Sequence, residues 1–354
     1  MTECEPTCTP MGRLEVGEEK SENPSLPPRQ STSVRFIDSI RKSFFVIGTS
    51  FVVLVAFRNS VTWHLQQCWG ASGDFWQGQW GKIYDWFEGD EYRLTLIGTF
   101  VWTMTIFWTA NILLIILDLT GKPEFLLRYK IQPEKNAPVE KKRLLSAIGR
   151  VLFNQTVIAG PVFIVLFHLM KLRGFSYGRE LPTFQWVLFE MLVCVLMEEV
   201  GFYYSHRTVH HPLLYKRIHK LHHEWTAPIG IIGLYAHPLE HVMSNMMPPM
   251  LGPLIMGSHL STMWLWFGIA LLSTTNAHSG YHFPYFPSPE AHDFHHLKFN
   301  QNYGGVLGIL DRLHGTDSLF RVTKQYERHI MCLTFNPPRQ EIPDIVKNAK
   351  AKPE

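Results

Sequence analysis

The sequence has little charge and few cysteines. Charged residues make up 18% of its 354 positions, against about a quarter in typical soluble domains. The formal net charge of +3 is too small to indicate a nucleic-acid partner. The five cysteines form no CxxC pair and no regular spacing, which argues against a disulfide framework and a thiolate metal site. No basic segment followed by a short apolar run stands near the start, so we expect no secretory signal.

Apolar residues, which make up 46% of the chain, gather in long uncharged runs. The run 94–117 has 24 residues without a charge, enough to cross a bilayer, and 151–170 is a second predicted span. The run 44–57 has only 14 residues, so we expect a short or tilted crossing or a helix at the membrane surface. The tryptophan-rich residues from there to about 91 favour a loop along that surface.

Two further apolar stretches contain polar or helix-breaking residues. The stretch 182–205 holds Glu190, Glu198 and Glu199, and carboxylates at membrane depth are costly and usually functional. The region 242–277 is interrupted by prolines, so a hairpin of two halves fits it better than one helix.

Fourteen of the eighteen histidines lie between positions 206 and 296, most of them in four sets. Imidazole is the commonest protein ligand for transition metals, and spacings of three and four residues place ligands on one side of a helix. In an HxxHH triplet the last two histidines are about 100° apart around the helix, so one triplet can serve two metal ions. The sets are His206, His210 and His211; His219, His222 and His223; His278 and His282; and His292, His295 and His296.

This abundance of histidine predicts a site for two metal ions. A structural zinc site normally takes four ligands, and ten or more histidines exceed that number. The metal cannot be chosen from the histidines alone, because imidazole suits Fe, Zn, Cu and Ni. Glu199 and Tyr203 share a helix face with His206, and Glu199 could orient a ligand histidine. Asp293 and Glu224 are further candidates for that role.

Five segments of the sequence resemble the fatty acid hydroxylase and sterol desaturase superfamily, and within it most closely the C-4 methylsterol oxidases. The resemblance covers roughly residues 180–320. The segments that carry it are Glu199–Arg207, His219–Glu224, Tyr235–Glu240, Asn276–His282 and His292–Gly304.

The resemblance implies an enzyme with two non-haem iron ions, for which zinc can substitute in a purified sample. Such enzymes use O2 as co-substrate to oxidise a membrane lipid, here most closely a sterol. Electrons come from cytochrome b5 and its NAD(P)H-dependent reductase, since the sequence contains no haem-binding domain of its own. The candidate catalytic residues are Glu199 and Tyr203, which share a helix face with His206, and His237, whose His-Pro pair the family shares. The implied metal ligands are His206, either His210 or His211, His219, His222, His223, His278, His282, His292, His295 and His296.

We therefore expect an all-α, polytopic integral membrane protein with a cytosolic, histidine-rich cap that binds two metal ions. Eight basic residues between positions 122 and 150 place that loop in the cytosol. Histidine sets flank 242–277, so that region must cross the membrane twice or dip and return. Lys350 and Lys352 resemble a retrieval signal of the endoplasmic reticulum membrane. The predicted domains are a disordered tail at 1–35, membrane-anchoring helices and loops at 36–180, a catalytic domain at 181–322 and a polar tail at 323–354.

Three other functions remain open at this point. A fatty-acid or sphingolipid hydroxylase would use the same histidine sets on another lipid. A non-catalytic, lipid-sensing membrane protein could keep the fold, although a lost ligand would favour it and we find none. A zinc-dependent membrane hydrolase would be distinguished by metal analysis.

Overall fold

The computed structural model describes residues 32–344, which form helices and contain no β-strand. These residues divide into two compact units, one ending at Ser72 and the other beginning at Gly73. The α-helices are α1 Thr32–Trp86, α2 Glu91–Arg93, α3 Thr99–Thr120, α4 Glu124–Leu127, α5 Lys141–Phe153, α6 Ala159–Arg173, α7 Phe184–Val209, α8 Pro212–Tyr215, α9 Pro238–Glu240, α10 Met247–Met256, α11 Leu260–His278, α12 Glu290–Lys298, α13 Ile309–His314, α14 Lys324–Arg328 and α15 Pro338–Glu341.

Short helical turns of other types join several of these helices. Three π-turns, between α2 and α3, between α5 and α6 and between α9 and α10, make each pair of helices continuous. The π-turns are Leu94–Gly98, Asn154–Ile158 and His241–Met246, and the 3-10 turns are His219–Glu224, Gly230–Leu234 and Phe320–Val322.

Two continuous helices are long and apolar enough to cross a membrane, Glu91–Thr120 and Lys141–Arg173. They contain the predicted spans 94–117 and 151–170. Large apolar side chains on them face outward, and Leu113 and Val165 are each at least 60% exposed. Exposed apolar surface of this kind is rare on soluble monomers and suits contact with lipid.

The proline-interrupted region folds into two helices, as predicted. Helix α10 ends at Gly257, whose φ of +63° is left-handed and suits glycine at a helix C-terminus. Helix α11 then begins after His259, whose ring accepts a hydrogen bond from the Ser261 backbone N–H. With ten residues, α10 rises only about 15 Å.

Helix α10 packs closely against α7 because both helices have small residues at the contact. A Cβ atom on Gly252 would lie 2.5 Å from the Cα atom of Cys194, which is a backbone atom and cannot rotate away. Cys194 itself is fully buried. This contact fixes the position of the helix that carries the first histidine set.

We expect Gly252→Ala to destabilise the fold by about 1–3 kcal/mol, because overpacking a tight contact forces backbone shifts. A thermal melt of the purified protein in detergent would measure this as a lower transition temperature. Gly160→Ala is the matched control, since its Cβ would meet no atom within 4 Å and alanine favours the helix. Equal transition temperatures for the two variants would contradict the proposed contact.

The structure corrects the loop expected after residue 57 and leaves other expectations outside its range. Residues 58–86, expected as a loop, continue α1, and Trp80 is buried with its indole N–H donating to the Gly178 carbonyl. The polar tail is folded as far as residue 344, where Arg328 is buried and pairs with Asp344 at 2.7 Å. Of the predicted disordered tail 1–35, residues 1–31 lie outside the described residues, whereas residues 32–35 begin α1. The lysine signal near the C-terminus also lies outside the described residues.

Candidate metal centre

Nine histidines converge at one end of the helices, in two groups. Within each group, one nitrogen from every ring lies within 4.8 Å of the others. The first group, called the five-histidine group, is His206, His210, His219, His223 and His295. The second, called the four-histidine group, is His222, His278, His292 and His296.

Each group draws its members from distant parts of the chain. Helix α7 supplies two rings near its C-terminus and α11 supplies one, whereas the turn His219–Glu224 and α12 contribute to both groups. Adjacent histidines separate, so that His222 joins one group and His223 the other. His295 and His296 divide in the same way. Neighbouring rings on a helical turn point in different directions, and each triplet therefore links the two groups.

Backbone carbonyls fix the orientation of five of these rings. A carbonyl oxygen can only accept, so the Nδ1 atom facing it must carry the proton. The Nε2 atom is then an unprotonated lone pair, the form that binds a metal. The pairs are His206 with Tyr303 at 2.9 Å, His222 with Tyr235 at 3.1 Å, His278 with Thr274 at 2.8 Å, His295 with Gln301 at 2.6 Å, and His296 with Trp225 at 3.0 Å.

A carboxylate orients a sixth ring. The Nδ1 atom of His219 lies 2.6 Å from Oε1 of Glu240, and both side chains are almost fully buried. Carboxylate–histidine pairs of this kind fix the ring and raise its basicity as a ligand. Nothing in the spacing of Glu240 from the histidines identifies this role, because the pair forms only when the chain folds.

The nitrogen atoms within each group are spaced as ligands of a common ion would be. The Nε2 atoms of His206 and His219 are 3.2 Å apart, and those of His222 and His278 are 3.4 Å apart. Those of His278 and His292 are slightly closer, at 2.8 Å. Two lone pairs at this distance repel each other, and a shared cation removes that repulsion. Two nitrogens each about 2.1 Å from one ion would be roughly 3.0–3.4 Å apart. The buried Nε2 of His296 has no hydrogen-bond partner, as a free metal ligand should.

Burial also keeps the rings neutral. It lowers the pKa of His222 to about 4 and holds the pKa values of His295 and His296 well below their usual range. Desolvation disfavours the charged imidazolium, so these rings are free of protons on Nε2 at neutral pH. The donor set, its orientation and its neutrality fit transition-metal ions.

Two of the predicted ligands lie outside both groups. His211 is exposed, and its Nδ1 accepts a hydrogen bond from the Leu213 backbone N–H. His282 is buried, but its two nitrogens face the Glu290 carboxylate at 3.4 Å and the Ile330 carbonyl at 3.0 Å. Of the two alternatives in the first set, the geometry therefore favours His210.

We expect His210→Ala to lower the metal content of the purified protein and His211→Ala to leave it unchanged. The first change removes an Nε2 atom that lies 3.2 Å from Nε2 of His223 and of His295. The second removes a ring that reaches only its own backbone. Elemental analysis of both variants in parallel measures the difference, and a loss of metal in His211→Ala alone would reverse the assignment.

The three residues expected to be catalytic lie beside the groups rather than in them. Glu199 is buried and accepts a hydrogen bond from the Ile309 backbone N–H at 2.9 Å. The hydroxyl of Tyr203 lies 3.2 Å from Oγ1 of Thr316 and accepts from the Arg207 guanidinium at 3.0 Å. His237 caps α9 through the Leu239 backbone N–H. None of the three side chains contacts a grouped nitrogen in these interactions.

Glu199 nevertheless supports the site through a loop. Its carboxylate and that of Asp311 both face the segment 303–309, where Asp311 accepts from the backbone N–H groups of Tyr303 and Gly304 at 2.8 and 2.6 Å. The same segment presents the Tyr303 carbonyl to His206. Glu199 therefore acts on the loop that orients the His206 ring, rather than on the ring itself.

The two other acidic candidates also bond elsewhere. Asp293 is buried between its histidine neighbours and accepts from the side-chain amides of Gln132 and Gln325. Glu224 accepts from the Tyr235 hydroxyl at 3.3 Å.

Sequence comparisons place the chain in a family of membrane-associated enzymes. The family model for fatty acid hydroxylases matches residues 191–316, which contain all nine grouped histidines. The chain belongs to the fatty acid hydroxylase family, whose members are oxidoreductases.

Several relatives match most of the chain. Human fatty acid hydroxylase domain-containing protein 2 is 55% identical over 87% of this chain and 92% of its own length. A protein of Dictyostelium discoideum assigned as a methylsterol monooxygenase is 34% identical over 71% of this chain and 93% of its own. A very-long-chain aldehyde decarbonylase of Oryza sativa subsp. japonica is 30% identical over 71% and 94%. No solved structure matches the chain.

Proposed function

We propose that the protein is a di-iron, O2-dependent oxidase or hydroxylase of a membrane lipid, with a sterol as the leading substrate. The observation that carries this proposal is the convergence of nine neutral imidazoles in two adjoining groups. A non-catalytic descendant of the family would be expected to lose ligands from such groups. Two of the relatives are named for different substrates, a methylsterol and a very-long-chain aldehyde, and the first of these supports the sterol.

The chain's own residues would prepare the reaction in three ways. Backbone carbonyls and Glu240 hold the rings so that the lone pairs face inward. Burial excludes water and keeps the rings unprotonated. Iron bound there would supply the redox chemistry that activates O2 toward a C–H bond. The family's iron dependence and the two groups together support two ions per chain.

A cavity between the membrane helices offers a place for the lipid. Its lining residues come from α3, α6, α7, α10 and α11, from the π-turns Asn154–Ile158 and His241–Met246, and from the 3-10 turn Gly230–Leu234. The cavity borders both histidine groups, since Phe202 lies beside the His206 ring with 5.0 Å between ring centres and Thr274 holds His278. A lipid in this cavity would therefore lie next to the metal centre.

The proposal places the site in the cytosol and the protein in the endoplasmic reticulum membrane as a multi-pass protein. The basic segment 122–150, whose last ten residues belong to α5, contacts the histidine-rich end, where Arg143 donates to the Glu224 carbonyl and lies 3.8 Å over the Trp225 ring. Gln132 and Asn136 from the same segment donate to the carbonyls of Thr226 and Ala227. A basic loop favours the cytosolic side, so its contact with the site supports that orientation. Cytochrome b5 and its NAD(P)H-dependent reductase could then reach the site as electron donors.

The direct test is turnover by the detergent-purified, iron-loaded protein. The assay combines a 4-methylsterol, O2, NADH, cytochrome b5 and its reductase, and mass spectrometry follows an oxidised product. Parallel reactions contain a long-chain fatty acid or a ceramide in place of the sterol. Sterol oxidation that requires O2 and is lost in a His222→Ala variant supports the proposal. Oxidation of the fatty acid or ceramide alone would assign the other lipid class, and no oxidation by iron-loaded, folded protein would contradict an oxidase.

A further inference from the structure

We propose that Glu198 and Ser244 form the subsite that recognises a hydroxyl group on the substrate, so that the protein selects a neutral lipid alcohol over a lipid with a carboxylate. This inference rests on the proposed function, because it concerns the lipid cavity beside the metal centre. It begins from two polar groups in that cavity that the metal centre does not use.

The cavity is largely apolar, and its polar lining residues are mostly satisfied by the protein. The side-chain oxygen of Gln155 accepts from the Trp108 indole N–H at 3.0 Å. The hydroxyl of Thr103 donates to the Thr99 carbonyl at 2.8 Å. These two groups have no need of a ligand.

Glu198 and Ser244 differ from them. Within the described part of the chain, Oε2 of Glu198 and Oγ of Ser244 are inaccessible to solvent and lack a hydrogen-bond partner. Ser244 is only 3% exposed, and both residues line the cavity. A buried polar atom without a partner is costly, and such atoms at the wall of a cavity indicate that a ligand supplies the missing bond.

The two groups complement a hydroxyl. An oxygen of the Glu198 carboxyl group accepts the proton of the hydroxyl, and the serine O–H donates to the hydroxyl oxygen. Ser244 also lies in the π-turn His241–Met246, and such turns often occur at functional sites.

The lining of the cavity discriminates between lipid classes. No lysine or arginine is among the residues that line it. A lipid carboxylate would therefore be buried there without a cation, which is strongly unfavourable where solvent is excluded. An uncharged alcohol carries no such penalty.

The position of Glu198 also relates the hydroxyl to the metal centre. Glu198 and Phe202 are one helical turn apart on α7, and Phe202 lies beside the His206 ring. A rise of 1.5 Å per residue places Glu198 about 12 Å before His206 along the helix. The hydroxyl subsite is therefore on the membrane side of the metal centre.

Direct ligand binding tests this inference without requiring turnover. Tritiated cholesterol is bound to the detergent-purified full chain and displaced by unlabelled cholesterol, by cholesteryl methyl ether or by palmitate. The ether keeps the sterol body but lacks the hydroxyl proton. In the wild-type protein we expect the ether to compete about tenfold or more weakly than cholesterol, because it leaves the buried Glu198 oxygen without a partner. We expect palmitate not to compete, because its carboxylate would be buried without a cation.

Variants test whether Glu198 and Ser244 cause the preference for cholesterol over its ether. Glu198→Met with Ser244→Ala should bring cholesterol down to the affinity of the ether, with little change for the ether itself. Thr95→Val is the matched control, because Oγ1 of Thr95 is also buried without a partner but Thr95 does not line the cavity. The Thr95→Val variant should keep the wild-type preference for cholesterol over its ether. Melting curves establish that each variant is folded.

The wild-type comparison stands even if a variant fails to fold. Equal competition by cholesterol and its ether, or competition by palmitate as strong as that by cholesterol, would overturn the inference. A protein that binds the alcohol selectively but shows no metal-dependent turnover would contradict the proposed oxidase and leave the hydroxyl subsite standing. Turnover without preference for the alcohol would support the proposed oxidase and overturn the hydroxyl subsite.

Discussion

His222→Ala should lower the metal content of the protein from about two ions per chain to about one. His222 belongs to the four-histidine group, so its removal leaves three nitrogens there. The five-histidine group is left intact, and its ion should remain. The double variant His219→Ala, His223→Ala should lose the other ion, because it reduces the five-histidine group to three nitrogens.

Elemental mass spectrometry on the purified variants measures these losses, and the triple variant should retain almost no metal. His237→Ala serves as the control, since that residue lies on a neighbouring segment and belongs to neither group. Complete loss of metal from His222→Ala would mean that the two groups do not load independently. Unchanged metal in every variant would mean that the ions are bound elsewhere.

Glu240→Leu should weaken metal binding about 10- to 100-fold, the usual effect of losing a partner that orients a ligand histidine. The change removes the only carboxylate that contacts a grouped ring among the described residues, at 2.6 Å from Nδ1 of His219. Glu240→Gln should lose less, because the amide oxygen can still accept the Nδ1 proton. Competition with a chelator measures the affinity.

Glu224→Leu provides a matched comparison for Glu240. Glu224 also follows the second histidine set, but its carboxylate accepts from the Tyr235 hydroxyl and not from a histidine. Its loss should leave metal affinity near that of the wild type. If the two leucine variants bound metal equally well, Glu240 would have no role in orienting the ring.

The membrane helices could be predicted from the sequence because lipid imposes a simple requirement. A span needs roughly 20 apolar residues, and the runs 94–117 and 151–170 meet it without help from tertiary contacts. The segment 58–86 was expected as a loop because its tryptophans suit a membrane surface. It is helical instead, and the burial of Trp80 against Gly178 and Trp264 depends on residues far away in the sequence.

The histidine site could be foreseen in part. Spacing identified all nine grouped histidines, because three- and four-residue repeats report the helical periodicity directly. Spacing alone could not decide between His210 and His211, since both fit a motif. It also could not exclude His282 from the ligands, because only the fold turns that ring toward Glu290 and the Ile330 carbonyl. The sequence does not reveal the hydrogen-bond partners of the ring Nδ1 atoms, for a related reason. Four of the five carbonyls and Glu240 lie outside the turn that carries their ring, and only the fold brings them there.

The most direct test of the two-metal account is the position of the ions in the iron-loaded protein. Anomalous scattering at the iron edge from crystals of the full chain would reveal each ion as a separate peak. We predict two peaks, one enclosed by the five-histidine group and one by the four-histidine group. A single peak, or a peak beside His211 or His282 in place of one of these, would contradict the account.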